Sequence, residues 1–386
     1  MNHSRETNER ARCSWYWVVA LLLVFPVSAG AQTWTWSSEP VDVGGIYSSL
    51  AVDSNGNVHV AYVSNEDSIK YAFRQTGSGK WYSMFVDDLQ GSAAAIATTS
   101  IALDPDQNPH ICYTRGQIRY ANWDGKKWHT QQLNPGAGQV SYTCSVAVAT
   151  DGTPHVTWYQ YGAPDGSDYL HIKHATLQSG VWVARTLDLE PQTGKWQSIA
   201  LDGGGNPHVS YDSFASGALK YAFWDGKNWN LQVVDRRTAK RGISTLGMGN
   251  YLVLDRDGKA GISYYDDSSL MYAWQQDKGW KIDTISDIAS FGSWIGYHSS
   301  QVLDAEGHPH IAYDNAGELE HAWWDGRDWH IQTIVPWGLE QYRASSIGID
   351  KDQTLYISYR DPNDGSLKVA IGRMTPASQT LSKVNK

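Results

Sequence analysis

The chain has 386 residues, 41% hydrophobic and 18% charged, with 19 Trp, 22 Tyr and 36 Gly against only 6 Phe. This composition excludes a disordered or collagen-like chain. Abundant Gly, Trp and Tyr without long Ala/Leu/Glu/Lys stretches at helical spacing also argue against a helical bundle and for an all-β protein, and a net charge of −9 disfavours attachment to nucleic acid or to an anionic membrane, both of which need surplus Lys and Arg.

Residues 1–31 have the order of a secretory signal. Arg5, Arg10 and Arg12 precede an uncharged run from Ser14 to Val27, which is followed by Ala29-Gly30-Ala31, a small-residue cleavage site with processing expected after Ala31. The run is too short for the roughly 20 apolar residues that span a bilayer. Removing the segment takes away three arginines and two glutamates, so the charge moves from −9 to −10. The expected product is a secreted or periplasmic protein with no membrane insertion after cleavage. Cys13 leaves with the signal. Cys112 and Cys144 then sit in an oxidising compartment, where a disulfide between them is expected, and their spacing does not read as a metal site.

Seven copies of one unit follow. Ser-apolar-small-apolar-Asp, a short turn, then Pro-His-apolar-small-aromatic recurs at Ser49–Tyr62, Ser100–Tyr113, Ser145–Trp158, Ser198–Tyr211, Ser300–Tyr313 and Ser346–Tyr359, with a weaker copy at Tyr251–Tyr264. The Asp slot is filled by Asp53, Asp104, Ala149, Asp202, Asp255, Asp304 and Asp350, so spacings run from 45 (Asp104 to Ala149) to 53 residues (Asp202 to Asp255). Each unit continues to a constant Ala, from Ala72 to Ala370. Six then reach a Trp with an aliphatic residue five positions later, as in Trp229 and Val234.

The seventh unit lacks that ending, and Trp36 with Val41 and Asp42 supplies it at the N-terminus. Residues 33–42 are therefore expected to be the outer strand of the last unit, closing a ring that leaves no free sheet edge. The alternation within each unit has period two, as strands require, and Asp-Gly pairs at Asp124, Asp225 and Asp325 give the hairpin of the third and fourth strands its tight turn. Four strands in about 45–50 residues match a propeller blade. The expected fold is an all-β seven-bladed propeller with four antiparallel strands per blade. Its blades fall at about 43–88, 89–134, 135–188, 189–236, 237–286, 287–336 and 337–373, ahead of a polar tail at 374–386.

Repeats such as SIALDGGGNPHVSY and LKYAFWDGKNW resemble those of secreted bacterial propellers grouped with the sialidase-type (BNR-like) propellers. The resemblance implies the architecture. The sialidase Asp-box, Ser-x-Asp-x-Gly-x-x-Trp, has no counterpart, since the turns here read Trp-Asp-Gly-Lys-x-Trp, and an arginine triad cannot be assigned; catalytic residues are not carried over. Polysaccharide lyases on seven blades are a second analogy, of fold only.

A residue present in every blade is scaffold before it is chemistry. His59, His110, His155, His208 and His310 share one slot, so a structural hydrogen-bonding role is expected of them rather than a metal cluster, and the carboxylate-rich turns read as plain turns rather than calcium loops. Function should lie where blades differ, on the face that carries the blade linkers and the loops between second and third strands. Candidates for ligand binding there are Tyr142, Lys195, Trp196, Trp294, Tyr297, His298, Tyr342, Arg343 and Arg360. The residue after the second-strand aromatic varies in chemistry at constant geometry, as Val63, Thr114, Tyr159, Asp212, Tyr265, Asp314 and Arg360, and is expected to project into the mouth of the ring.

Three functions compete. A module that binds glycan, acidic polysaccharide above all, would use aromatic stacking with Arg and Lys as charge partners. A polysaccharide-active enzyme would use Tyr265 or His298 as general base with Arg343 or Arg360 stabilising developing charge, or Asp212, Asp266 and Asp314 as glycosidase carboxylates. An envelope platform for a protein partner would use the same aromatics as hot spots. No cofactor or metal is called for.

Overall fold

The computed structural model describes residues 33–65, 67–88, 98–114, 117–133, 140–160, 171–236, 246, 248–266, 269–287, 295–315, 317–336 and 345–375. The expected signal segment 1–31 lies outside them. Every described element is a strand or turn, and the strands form seven four-stranded antiparallel sheets. In blade 4, for example, the strands are Thr193–Leu201, Pro207–Ser213, Ala218–Trp224 and Trp229–Arg236, paired in that order. First strands of successive blades lie against one another all the way around, blade 7 against blade 1.

The ring closes as the Trp spacing requires. Thr33–Asp42 is the outer strand of the sheet formed by Ser346–Ile349, Leu355–Arg360 and Leu367–Thr375. In other blades the outer-strand Trp stands edge-to-face on the third-strand ring of the preceding blade: Trp128 on Tyr71, Trp182 on Tyr120 and Trp280 on Tyr221, at 5.0–5.3 Å between centroids. Trp36 stands on His321 of blade 6 at 5.4 Å and 74°. It therefore does for blade 7 what those tryptophans do for theirs.

The repeated polar residues explain how seven separate sheets hold to each other. A blade's first strand is its inner edge, with backbone groups that no strand pairs. The Ser slot supplies a partner. Its hydroxyl oxygen accepts the N–H of the residue after the Ser slot in the next blade, from Leu50 to Ser346, Val146 to Ser100, Ile199 to Ser145, Leu252 to Ser198 and Ile347 to Ser300, at 2.9–3.2 Å. Blade 5 has Tyr251 in the slot, and blade 6 compensates with Gln301, whose amide donates to the carbonyls of Tyr251 and Gly261.

The Asp slot closes the first hairpin by accepting backbone N–H groups, as Asp53 does from Asn55 and Asn57. Its other oxygen lies 3.5–3.7 Å from the slot histidine in blades 1, 2, 4 and 6. Through Nδ1 each of those histidines shares a hydrogen bond with the third strand: His59 with Tyr71, His110 with Tyr120, His208 with Tyr221 and His310 with His321. An Asp-His-Tyr chain would look catalytic if it occurred once. Repeated around the ring, it is a fastening between hairpin and sheet.

The disulfide belongs to the same pattern. The small second-strand residue of one blade faces the residue before the Ser slot of the next, hydroxyl to amide or hydroxyl to hydroxyl in Ser210–Asn250, Ser263–Ser299 and Ser358–Ser48. Cys112 of blade 2 and Cys144 of blade 3 fill those two places and are bonded, with Cα atoms 6.2 Å apart. A covalent bond thus stands where other blades carry a hydrogen bond.

Candidate functional site

The seven first strands surround a central channel that holds a cavity of about 140 Å³. One position before the Ser slot, its wall reads Ser48, Thr99, Cys144, Gln197, Asn250, Ser299 and Ser345, and two positions before, toward the linker face, it includes Tyr47, Thr98, Thr143, Trp196, Gly249 and His298. The lower ring is small and polar because those side chains bond across blades: Gln197 donates to the Thr143 carbonyl, Asn250 to the Trp196 carbonyl and Ser299 to the Gly249 carbonyl, at 2.8–3.0 Å. The upper ring varies, and it is where side chains reach the opening.

A local irregularity places those side chains. In blades 1, 3, 4, 5 and 6 the first strand breaks register with the second just before the Ser slot, as between Thr193 and Gln197 and between Ile295 and Ser299. A bulge inserts unpaired residues and turns the side chain that follows. Trp196 and His298 lie in two such bulges and meet edge-to-face, 5.3 Å apart at 77°. They come from blades 4 and 6. Blade 5, between them, has Gly249 at that position with φ 58°, so no side chain intervenes.

Two perturbed groups stand here. Burial pushes His298 down to about 4, so its imidazole is neutral at neutral pH and can accept or donate one hydrogen bond. Behind Trp196, Asp212 is buried and accepts the Trp196 backbone N–H at 2.9 Å. Burial pushes its carboxyl up to about 7, against the lowering pull of that hydrogen bond.

The variable slot after the second-strand aromatic does not open into the mouth as expected. Asp212 pairs with Leu219, Tyr265 with Leu270 and Arg360 with Leu367. The strand runs on by one residue and tucks the side chain under the loop. Val63, Thr114, Tyr159, Asp212 and Tyr265 are buried, and Asp314 and Arg360 are partly so. Asp314 and Arg360 share a small cavity between blades 6 and 7; Asp314 accepts the Gly317 N–H and Arg360 donates to the Gly365 carbonyl. Asp266 is buried as well. The three proposed carboxylates thus belong to three different blades, and Asp212 and Asp314 hold backbone groups of their own blade.

Of the expected ligand-binding residues, Trp196 and His298 come together at the channel, Lys195 is exposed beside them, and Arg360 lies away at the 6/7 boundary. Trp294, Tyr342 and Arg343 lie outside the described residues, and the side chains of Tyr142 and Tyr297 do too. Sequence reasoning missed Gly249, Gln197, Asn250 and Thr143 as channel residues. The signal was available, because the two positions before the Ser slot are the ones that line an inner edge. Among the described residues no group of three or more His, Cys, Asp or Glu side chains could hold a metal ion, and no helix is long and apolar enough to cross a membrane.

No protein-family model and no curated protein matches the sequence. Solved structures do match it by shape. A polysaccharide lyase of family PL25, an ulvan lyase, superposes with a TM-score of 0.59 at 12% identity, covering 87% of this chain and 95% of that one. A single-site mutant of the Aleuria aurantia lectin, solved with α-methyl-L-fucoside, gives 0.51 at 14% identity, over 79% and 99% of the two chains. AofleA from Arthrobotrys oligospora gives 0.51 at 15% identity, over 79% and 90%. At such identities the likeness is one of fold.

Proposed function

We propose that this protein is an exported carbohydrate-binding propeller whose ligand enters the central mouth on the linker face. The observation that carries this reading is the pairing of Trp196 with a neutral His298 across Gly249, an aromatic surface framed by hydroxyl and amide side chains. Aromatic faces take the C–H faces of sugar rings, while fixed hydroxyls and amides orient their OH groups. Fold neighbours named as a fucoside-bound lectin and an ulvan lyase support the class of ligand. Export rests on the signal-like segment 1–31, and kinship with sialidase-type propellers rests on the repeats alone. A glycan array, with W196A and H298A as comparisons, tests the reading. Glycans should be retained by the wild type and lost by W196A with folding intact; equal retention by both variants would reject it.

A second reading, a lyase acting at the same mouth, draws on one observation: the His298 imidazole stands at the channel beside Trp196 and is unprotonated at neutral pH, the form a general base needs, although burial makes it a weaker base than a free imidazole. Incubating each array hit with protein separates the two. Unsaturated products absorbing in the ultraviolet indicate elimination, whereas saturable binding without product indicates a lectin.

A further inference from the structure

A second cavity, of about 310 Å³, opens between blades 3 and 4 near the hairpin ends of their strands, away from the linkers. Blade 3 departs from the repeat at three places in or beside it. Thr176 stands where other third strands have Phe73, Asn122, Phe223, Trp274, Trp323 or Ile371, so the side chain is shorter here than in any other blade. Ala149 replaces the slot aspartate, and Arg185 stands where other outer strands carry Glu39, Met84, Gln131, Gln232, Asp283 or Gln332.

Those replacements share one chemical consequence. In four other blades the slot histidine has a carboxylate 3.5–3.7 Å from Nε2; in blade 3 the Ala149 side chain offers His155 nothing. At three other blade boundaries the residue at the Arg185 position accepts the indole N–H of the next blade's Trp, Glu39 from Trp81, Gln232 from Trp280 and Asp283 from Trp329, at 3.1–3.4 Å. Arg185 carries only donors and cannot do this for Trp229. Its guanidinium is exposed and has no hydrogen bond or ion pair among the described residues. The cleft therefore gathers an exposed cation with no carboxylate partner among the described residues, an indole N–H, and an imidazole whose carboxylate neighbour is the exposed Asp151 in place of a slot aspartate.

The remaining walls are those of a sugar site. Trp224 and Trp229 form a corner, ring centroids 5.7 Å apart at 63°. Asn206 gives its amide N–H to Asp202 and keeps its carbonyl oxygen for a hydroxyl. The volume is at the small end for ligand pockets, which suits one ring rather than an oligosaccharide.

We propose that the cleft between blades 3 and 4 binds a single anionic sugar residue, its carboxylate or sulfate received by Arg185 and its ring held against Trp224. This site is separate from the central mouth and does not depend on it.

The test titrates the mature protein with three sugars sharing one ring: methyl α-D-galactoside, methyl α-D-galacturonoside and galactose 6-sulfate, followed by calorimetry and tryptophan fluorescence. The anionic sugars should bind about tenfold or more tighter than the neutral one, and whichever anion binds better identifies the group as carboxylate or sulfate. R185Q should reduce the anionic sugars to the neutral level. It should fold, since Gln fills this position in Gln131, Gln232 and Gln332. A149D, which restores the carboxylate of the other blades, should weaken the anions about tenfold as well, while W196A should leave them unchanged. Three results would overturn the proposal: no saturable binding of any of the three, no preference for the anions, or wild-type binding by folded R185Q and A149D. Loss of binding in W196A alone would place the ligand at the central mouth and overturn it too.

Discussion

The sharpest test of the architecture is to move the outer strand of blade 7 from one end of the chain to the other. Trp36 lies over Gly372, where an added Cβ would come within 2.6 Å of the indole, and it stands on His321; Trp34 is 3% exposed. Deleting residues 33–42 removes both rings and leaves Leu367–Thr375 as an open edge. Truncating a buried aromatic costs about 3–5 kcal/mol. Trp36 is only partly buried, so W36A alone should cost about 2–3 kcal/mol, near the cost of W128A or W280A in the equivalent places. The full deletion should exceed it and drive association through the bare edge. In blade 4 four residues, Asp225 to Asn228, join Trp224 to Trp229. A circular permutant that joins Thr375 to Thr33 through a turn of that length, with new termini in the linker near Val43, keeps both rings and should recover the wild-type unfolding midpoint and remain monomeric. Size-exclusion chromatography and chemical denaturation read both quantities. An unchanged midpoint and a monomeric state after the deletion would refute the closure.

Three further outcomes follow from the same packing. Replacing both Cys112 and Cys144 by Ser should lower stability by less than the about 3–4 kcal/mol expected for opening a loop of this 32-residue separation, because the serines recreate the Ser263–Ser299 hydrogen bond; a larger loss by chemical denaturation would show that the bond does more than replace one. His59, His110, His155, His174, His208, His298 and His321 are all held below the usual imidazole range by burial. The unfolded chain then takes up protons that the fold refuses, so stability should be full above about pH 6.5 and fall as the pH drops below it, and a flat profile between about pH 7 and 5 would contradict this. Asp212 works in the other sense: its carboxyl is pushed up to about 7 by burial, so its contribution is lost as pH rises through that value. D212N, which keeps an acceptor for the Trp196 N–H, should stabilise the protein at about pH 8–9 by on the order of 2–4 kcal/mol and have little effect near pH 4; equal effects at both would refute the assignment.

The architecture is legible because a propeller states its constraints seven times. The Trp-to-aliphatic spacing at Trp36 is enough to place a strand at the far end of the chain from its sheet, since an unpaired ending and an unpaired beginning have one joint solution. The histidine slot is legible as scaffold for the same reason, and the structure adds which partners it holds: Asp53 and Tyr71 for His59, and their counterparts elsewhere. The Ser slot is visible as a pattern without its purpose. A hydroxyl that accepts an N–H in the next blade, as Ser198 does from Leu252, can be understood only once the inner edges are known to meet.

The site is less legible, and for one physical reason: variation between copies does not by itself mean exposure. At Asp212, Tyr265 and Arg360 it means that each inter-blade space is filled in its own way, because a strand extended by one paired residue buries whatever side chain it carries. True access to the channel is set one strand earlier, where a bulge breaks the register and Gly249 leaves room for Trp196 to reach His298. The same comparison of copies, applied to Ala149, Thr176 and Arg185, finds a space that blade 3 leaves unfilled. A departure from the repeat signals a site only when the replaced groups leave volume or unmet hydrogen-bonding capacity behind. Arg360 fails that criterion, since its cavity is small and Arg360 donates to a backbone carbonyl, whereas Arg185 meets it. R360T, which copies blade 2, should therefore leave the ligands of the central mouth and of the cleft between blades 3 and 4 bound, and a loss of glycan binding in that variant would move the site to the variable slot after the second-strand aromatic.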